Sequence, residues 1–267
     1  RSLPKWPRIS RLRATGRLQA THFVAASRHS SKDRATEKHM IDWRHLSRLV
    51  TARETGELRK TVIGIGEAGC KVVDHMIGTC VTGFEYVSAN TDPEVLIQSL
   101  ATKTIQLDPN ELGTRGQPEL GRQGTTKSED IIRRELAGTD LLFVTLHLGG
   151  GTGTYAAPEI VRIAKERGIV TVGVVSSPYA TEGDRAMSMA SACLNAFQAT
   201  VDSLTVVPQQ ELLVDQLDAS GQAKSVERTV DLLANSIIDT ADDINKNCHQ
   251  YMVSKRAVIS WWLKRRL

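Results

Sequence analysis

The chain has 267 residues, of which 40% are hydrophobic and 24% charged, proportions that are typical of a globular protein and argue against a disordered chain. Its net charge of +4 is concentrated at the N-terminus, because residues 1–32 contain eight Lys or Arg and no Asp or Glu. The remainder is slightly acidic, which argues against nucleic acid as a partner of the domain. The four cysteines are scattered without a C-x-x-C pair, which excludes a disulfide framework and a zinc site. No apolar run is long enough to span a bilayer, so we expect a soluble protein.

Residues 1–58 are predicted to be a basic N-terminal arm. This segment interleaves Arg and Ser, as in residues 8–13 (RISRLR), and contains little periodic apolar sequence. Such a composition is typical of a disordered arm and also of an organelle transit peptide. The first interpretation places the protein in the cytoplasm, and the second places it inside an organelle.

From about residue 59, apolar β-branched runs alternate with segments of helical periodicity. This alternation predicts an α/β fold with a doubly wound, mostly parallel sheet over residues 59–247, followed by an irregular basic and aromatic tail at 248–267. The predicted strands are residues 60–65, 85–89, 103–107, 141–146, 170–176 and 203–207, and the predicted helices are residues 70–77, 93–100, 128–136, 156–167, 184–200 and 226–244. Ligands of such sheets bind beyond the carboxyl ends of the strands.

A glycine cluster at residues 148–154 (LGGGTGT) lies between a predicted buried strand and a predicted helix. Glycine permits close backbone approach, and a helix N-terminus carries about half a positive charge. The backbone N–H groups of this segment can therefore converge on an anion, and its two threonines add hydroxyl donors. We predict a phosphate site here.

A second glycine loop, residues 64–69 (GIGEAG), matches G-x-G-x-x-G between a strand and a helix. Alone it suggests a dinucleotide-dependent oxidoreductase, but the second strand ends in Asn90 instead of the acid that such a site uses for a ribose. That interpretation also leaves the glycine cluster at 148–154 without a role. A mononucleotide with a long phosphate chain would use both loops. Neither loop is a G-x-x-x-x-G-K-[ST] sequence, which excludes the ordinary P-loop class.

Residues 149–158 (GGGTGTYAAP) resemble the signature GGGTGTGAAP of the tubulin/FtsZ superfamily, and within it the FtsZ family of cell-division GTPases, with Tyr155 replacing a glycine. The resemblance spans about residues 59–245. Shorter matches surround the signature, at residues 62–66 (VIGIG), 90–92 (NTD), 118–122 (PELGR), 171–175 (TVGVV), 182–183 (EG) and 201–204 (VDSL).

The resemblance implies binding of GTP or GDP with Mg²⁺ in a cell-division cytoskeleton. The signature loop would hold the phosphates, with Gly66 and Gly69 opposite, and Asn90 and Asp92 would lie near the phosphate and magnesium. Glu182 would reach the ribose, and Asp231 would bind the guanine edge through charge-assisted hydrogen bonds. The full predicted site is Gly66, Gly69, Lys71, Asn90, Asp92, Gly149, Gly150, Gly151, Thr152, Gly153, Thr154, Glu182, Arg185, Gln209 and Asp231.

Several positions depart from the family pattern. Glu67 stands where the family has glycine and would repel a polyphosphate, although Lys71 is placed to offset it. The loop that contacts the γ-phosphate in the family is shortened at residues 114–118. Gln209 replaces a base-contacting Asn, Val226 replaces an aromatic residue that stacks on guanine, and Arg185 lies one residue from the position of a ribose-side arginine.

The largest departure concerns hydrolysis. In the family, a loop after the long helix supplies acidic residues that activate water in the neighbouring subunit's site. The corresponding stretch, residues 248–256 (CHQYMVSKR), has no carboxylate, and we expect the chain to lack the family's second domain. We therefore expect weak hydrolysis and head-to-tail association with a second copy or a full-length homologue. Membrane contact is suggested only by residues 261–267 (WWLKRRL). The alternative is a non-catalytic regulatory or scaffold module that kept the fold and lost the nucleotide.

Overall fold

The centre of the structure is a parallel β-sheet, seen in a computed structural model that describes residues 23–25, 49, 58–107, 125–207 and 226–246. The strands are β1 Phe23–Ala25, β2 Lys60–Ile65, β3 Glu85–Asn90, β4 Lys103–Gln106, β5 Leu141–His147, β6 Val170–Ser176 and β7 Ser203–Val207. Their order across the sheet is β1-β7-β6-β5-β2-β3-β4, and every neighbouring pair is parallel. The predicted doubly wound parallel sheet is confirmed.

Helices connect the strands and cover both faces of the sheet. They are α1 Gly66–Gly78, α2 Pro93–Gln98, α3 Glu129–Glu135, α4 Gly151–Glu166, α5 Gly183–Thr200 and α6 at residues 226–246, with a short 3-10 turn at Ala180–Glu182. Within the described residues, no helix is long and apolar enough to cross a membrane.

The strand order places a switch point between β2 and β5. From β2 the chain proceeds outward through β3 to β4, and it then returns to lay β5 on the other side of β2 before continuing to β6 and β7. The segments that follow β2 and β5 therefore leave the sheet toward opposite faces and open a crevice between them. These are the two glycine segments singled out in the sequence.

Two apolar cores lie on the two faces of the sheet because successive strand side chains point in opposite directions. In β5, Leu142 and Val144 join the core beneath α3, α4 and α5. Leu141 and Phe143 join the core beneath α1 and α6. Burial on both faces explains why β5 and β6 are almost continuously apolar in sequence.

Two features before residue 58 belong to the described fold, whereas the sequence suggested that order begins near 59. Phe23–Ala25 pairs with β7 and covers the edge of the sheet. Leu49 is only 1% exposed and packs in the core beneath α1 and α6. The three-residue strand is too short for periodicity to reveal, since its place depends on β7, almost 180 residues later.

Both glycine segments become helical earlier than predicted. Helix α1 begins at Gly66 instead of residue 70, and α4 begins at Gly151 instead of residue 156. Gly153 and Thr154 are buried in the first turn of α4, so packing against the sheet outweighs the low helix propensity of glycine. The signature therefore forms a tight turn and the first turn of a helix, not an open loop.

Candidate functional site

The two glycine segments meet at the switch point of the sheet. Gly66 has a φ of +73°, and a Cβ built on it would lie 3.3 Å from the backbone N of Gly153. A Cβ on Gly153 would in turn lie 3.2 Å from the carbonyl O of Ile65 and 3.2 Å from Leu146 Cβ. Both positions therefore favour glycine, because a side chain at either one would press the segments apart.

The N-terminus of α4 opens onto the crevice. Gly150 caps the helix in an extended conformation and, as a glycine, offers no side-chain acceptor to the N–H groups of the first turn. Just before it, Gly149 has a φ of +92° and its N–H donates to Thr154 Oγ1 at 3.0 Å. This bond fixes the turn, while the helix dipole and unpaired N–H groups at the helix start favour an anion.

The end of β3 forms a second wall. Thr91 Oγ1 and Thr152 Oγ1 share a hydrogen bond of 2.7 Å that ties this wall to the glycine segment. Asn90 is buried, and its Oδ1 accepts from Asp92 N–H at 3.2 Å. Asp92 Oδ1 caps α2 by accepting from Glu94 N–H at 2.9 Å. Asp92 thus brings one carboxylate to the crevice in a fixed position.

Glu67 and Lys71 bring opposite charges to the entrance on the first turns of α1. Lys71 Nζ lies 2.7 Å from Glu67 Oε1, and more than half of each side chain is exposed. An exposed i,i+4 pair contributes at most about 1 kcal/mol, so Lys71 can exchange this partner for an anion at little cost. The structure thus places Lys71 beside Glu67, whose repulsion of a polyphosphate it was expected to offset.

The ends of β5 and β6 form the wall opposite the β3 side. His147 Nδ1 lies 3.0 Å from Ser176 Oγ, and His147 Nε2 lies 3.2 Å from Glu182 Oε2. Glu182 Oε1 accepts from the backbone N–H of Tyr179 at 2.8 Å. The Tyr179 hydroxyl is buried with no hydrogen-bond partner among the described residues, so this wall holds one unsatisfied polar atom.

Together these walls enclose a cleft of about 540 Å³, within the range of about 300–1,000 Å³ that small-molecule sites occupy. Helix α6 closes the remaining side with the apolar Val226, Val230 and Leu233 around Thr229. The predicted residues that line the cleft are Gly66, Lys71, Asn90, Asp92, Gly150, Gly151, Thr152, Gly153 and Glu182.

Other predicted site residues support the cleft from behind. A Cβ on Gly69 would lie 2.5 Å from the carbonyl O of Thr145, so Gly69 permits α1 to pack closely on the sheet. Gly149 and Thr154 hold the turn through their mutual hydrogen bond. These three residues therefore shape the site and do not line it. Gln209 lies outside the described residues, and Arg185 does not line the cleft.

Asp231 has a different partner from the one that the family resemblance implies. Its Oδ1 lies 3.1 Å from Nε2 of His75, which links α6 to α1. The Asp231 side chain is 53% exposed and does not line the cleft, whereas Thr229 and Val230 do. In this structure the predicted guanine-binding carboxylate is therefore engaged by a histidine.

Sequence reasoning missed several residues of the cleft. Thr91 was part of a recognised motif but was not assigned a role, and His147 was left out because the predicted strand stopped one residue earlier. Tyr179 and Thr229 carried no local signal. A polar residue at the carboxyl end of a buried parallel strand is the feature that points to His147 and Ser176.

Cys70, the cysteine beneath the first glycine segment, is buried in the core and does not line the cleft. Burial raises the pKa of Cys70 to about 12, so its thiol is neutral at physiological pH. Within the described residues, no group of three or more His, Cys, Asp or Glu forms a metal site. The cleft instead combines backbone N–H donors, one fixed carboxylate on each of two walls and an apolar side formed by α6. This combination suits a ligand that has an anionic group at one end and an uncharged remainder that donates hydrogen bonds.

Comparison with known proteins gives consistent matches. The family described as Tubulin/FtsZ family, GTPase domain, matches residues 60–215. The chain is similar to cell division protein FtsZ of Pseudomonas aeruginosa, with 37% identity over 188 residues that cover 69% of this chain and 48% of that protein. It is also similar to cell division protein FtsZ of Coxiella burnetii, with 43% identity over 155 residues that cover 57% of this chain and 40% of that protein. The chain thus spans half or less of the length of these curated relatives.

Solved structures agree with the sequence matches. An empty FtsZ dimer of M. jannaschii superposes with a TM-score of 0.64 and 29% identity, covering 72% of this chain and 56% of that chain. CetZ from Methanosaeta thermophila superposes with a TM-score of 0.59 and covers 69% of this chain and 54% of that chain. At 20% identity this second likeness concerns the fold alone.

Proposed function

The chain belongs to the Tubulin/FtsZ family through its GTPase domain, and we propose that it binds GTP and GDP in the cleft at the switch point of the sheet. The observation that carries the proposal is the contact between the two glycine segments, with the N-terminus of the 16-residue helix α4 opening between them. A phosphate chain is the ligand group that such an arrangement recognises best.

The nucleotide would lie across the cleft with each part against a different wall. The backbone of residues 150–153 would hold the phosphates, and Lys71 would leave Glu67 to join them. Mg²⁺ commonly uses one or two protein carboxylates together with substrate phosphates, and Asp92, which is held in place by the Glu94 N–H on the phosphate side, would be one of them. Glu182 would accept hydrogen bonds from the ribose hydroxyls, and Asp231 would turn from His75 to the guanine edge.

We propose that hydrolysis is weak. In the family the attacking water is activated by acidic residues of a loop after the long helix, and residues 248–256 contain no Asp or Glu. That stretch lies outside the described residues, so the proposal depends on its sequence alone. Binding depends on groups that line the cleft, and it is therefore expected to persist where turnover is slow.

Association is proposed to be head to tail, either with a second copy of this chain or with a full-length homologue. Support comes from the relatives, which are cell division proteins, and from the M. jannaschii structure, which is described as a dimer. A heterologous contact of this kind extends into a filament when its rotation does not close into a ring. Such a cytoskeletal role places the protein in the cytoplasm, or inside an organelle if the N-terminal arm is a transit peptide.

Calorimetric titration of the full chain with Mg-GTP, Mg-GDP and Mg-ATP tests the proposal. We expect GTP and GDP to bind with micromolar dissociation constants and ATP to bind at least about tenfold more weakly, a difference of about 1.4 kcal/mol. Sedimentation velocity with and without GTP tests association, and phosphate release tests turnover. Turnover that rises steeply with protein concentration, as in a full polymer former, would contradict weak hydrolysis.

The alternative function is a scaffold module without nucleotide. It is favoured by Glu67 at the phosphate side of the cleft and by the 42% exposed Val226, an aliphatic side chain that stacks on guanine less well than an aromatic ring. Absence of binding by both GTP and GDP in the titration would favour this function. Tight binding of NADH without preference for guanine would favour the dinucleotide interpretation instead.

A further inference from the structure

A chain of three polar side chains crosses the wall formed by β5 and β6. His147 ends β5 and Ser176 ends β6, and the two residues are direct partners in the parallel register. Ser176 Oγ lies 3.0 Å from His147 Nδ1, and His147 Nε2 lies 3.2 Å from Glu182 Oε2. Both ring nitrogens therefore have partners, and all three side chains line the cleft.

The second oxygen of Glu182 is also engaged. Glu182 Oε1 accepts from Tyr179 N–H at 2.8 Å, while the Glu182 N–H donates to the Tyr179 carbonyl at 3.0 Å. The carboxylate is thus fixed at one oxygen by the backbone and at the other by the imidazole. A carboxylate has about four acceptor positions, so two lone pairs remain for donors from the cleft.

Glu182 determines that the His147 nitrogen facing it carries a proton, because a carboxylate only accepts hydrogen bonds whereas the Ser176 hydroxyl can donate or accept. The Ser176 side chain is buried, and its hydroxyl can donate to Nδ1, which leaves the proton on Nε2 facing Glu182. In that form each donor in the chain meets one acceptor. The same order of contacts orients the imidazole ring, because rotation about its bonds would break two hydrogen bonds together.

The geometry points to a role for His147 in sugar recognition. We propose that His147 is a positioning residue that holds Glu182 in the orientation that accepts hydrogen bonds from the hydroxyl groups of a nucleotide ribose. This inference rests on the proposed nucleotide binding and adds a residue to it. The buried Tyr179 hydroxyl in the same wall has no hydrogen-bond partner within the described part of the chain, and a sugar hydroxyl or an ordered water would satisfy it.

The test measures sugar preference instead of affinity alone. The ratio of dissociation constants for 2′,3′-dideoxy-GTP and GTP is determined by calorimetry for the full-length wild-type chain, His147→Ala, His147→Gln and Glu182→Gln. The wild type is expected to prefer GTP by at least about tenfold, because the dideoxy sugar cannot donate hydrogen bonds to the charged Glu182 carboxylate. The ratio should fall to within about threefold in His147→Ala and in Glu182→Gln, while His147→Gln, whose amide can still donate, should retain most of the preference.

Two further variants separate positioning from general damage. The double variant His147→Ala/Glu182→Gln should lose no more preference than either single variant, because the two residues act as one unit. Arg134→Ala, which removes a 73% exposed side chain on α3 outside the cleft, should leave the ratio unchanged. Thermal unfolding of every variant shows whether the fold persists.

The outcomes distinguish this inference from the function on which it rests. If the wild type binds neither guanine nucleotide, the proposed function is wrong and this inference falls with it. If the wild type binds GTP and His147→Ala keeps the full preference for the ribose, the role of His147 is overturned while nucleotide binding stands. An equal loss of preference in Arg134→Ala would also overturn it.

Discussion

The backbone N of Gly153 lies 3.3 Å from the place that a Cβ of Gly66 would occupy. This approach brings the segment after β2 against the first turn of α4, although 86 residues of sequence separate them. It defines the floor of the cleft, and it is possible only because neither residue carries a side chain.

We expect Gly153→Val to abolish GTP binding and to lower the free energy of unfolding by about 1–3 kcal/mol. Its Cβ would lie 3.2 Å from the carbonyl O of Ile65, and the added methyl groups would force the two glycine segments apart. Denaturant unfolding and calorimetry measure the two effects. Gly78→Ala is the matched control, because nothing lies within 4 Å of its Cβ, and it should preserve both stability and binding. Unimpaired GTP binding by Gly153→Val would contradict the proposed floor of the site.

The pairing of Asp231 with His75 gives a test of guanine recognition. We expect Asp231→Asn to weaken GTP binding about tenfold to a hundredfold, because charge-assisted hydrogen bonds to the base are lost. His75→Ala should leave affinity unchanged or raise it, since it frees the carboxylate that lies 3.1 Å from the imidazole. Calorimetry with GTP and ATP measures both variants. If the two substitutions have the same small effect, Asp231 serves only to link α1 and α6.

Substitution of Asp202 is expected to lower the stability of the protein without changing nucleotide binding. Its side chain is 2% exposed and accepts from the Thr171 N–H at 2.8 Å and the Thr171 hydroxyl at 3.1 Å, and it forms an ion pair with Lys165. Asp202→Ala would leave these buried donors without their acceptor, and we expect unfolding to become easier by about 2–3 kcal/mol. Asp202 lies at the amino ends of β6 and β7, at the sheet edge opposite the cleft. GTP affinity well below the melting temperature should therefore stay within about twofold of wild type.

Arg59, Glu85 and Lys103 form a charged surface cluster at the same amino-terminal edge, and we expect it to make stability depend on pH. Hydrogen bonds from Lys103 and Arg59 lower the pKa of Glu85 below its usual 4.5. A carboxyl whose pKa is lower in the folded state stabilises the fold above the unfolded pKa, and this contribution is lost as pH falls below about 4.5 through the folded value. Because these groups are partly exposed, the effect should be about 0.5 kcal/mol and weaken in salt.

The comparison of wild type with Glu85→Gln checks this cluster. The difference in unfolding free energy between the two proteins should be largest at neutral pH and low salt, and it should shrink toward zero as the pH is lowered below 4.5. A difference that grows on acidification would show that the sign assigned to the Glu85 interaction is wrong.

The fold class and the position of the candidate cleft follow from sequence patterns alone. Continuous apolar runs such as β5 and β6 mark strands buried on both faces, and their alternation with helical segments leaves a parallel sheet as the consistent arrangement. The glycine segments after β2 and β5 predict a phosphate site, because backbone N–H groups beside a helix start can converge on an anion. Apolar runs and glycine segments are local patterns, so they can be recognised from the sequence without the three-dimensional structure.

Which residues line the cleft and which support it depends on how the helices pack on the sheet, and that packing is visible only in three dimensions. Gly69 and Thr154 belong to the same motifs as Gly66 and Thr152, yet the first pair packs behind the site and the second pair faces it. The difference depends on which side of α1 and α4 faces the sheet. The contact of His147 with Glu182 joins residues 35 positions apart. It arises because parallel pairing aligns the ends of β5 and β6, a long-range register that no sequence window contains.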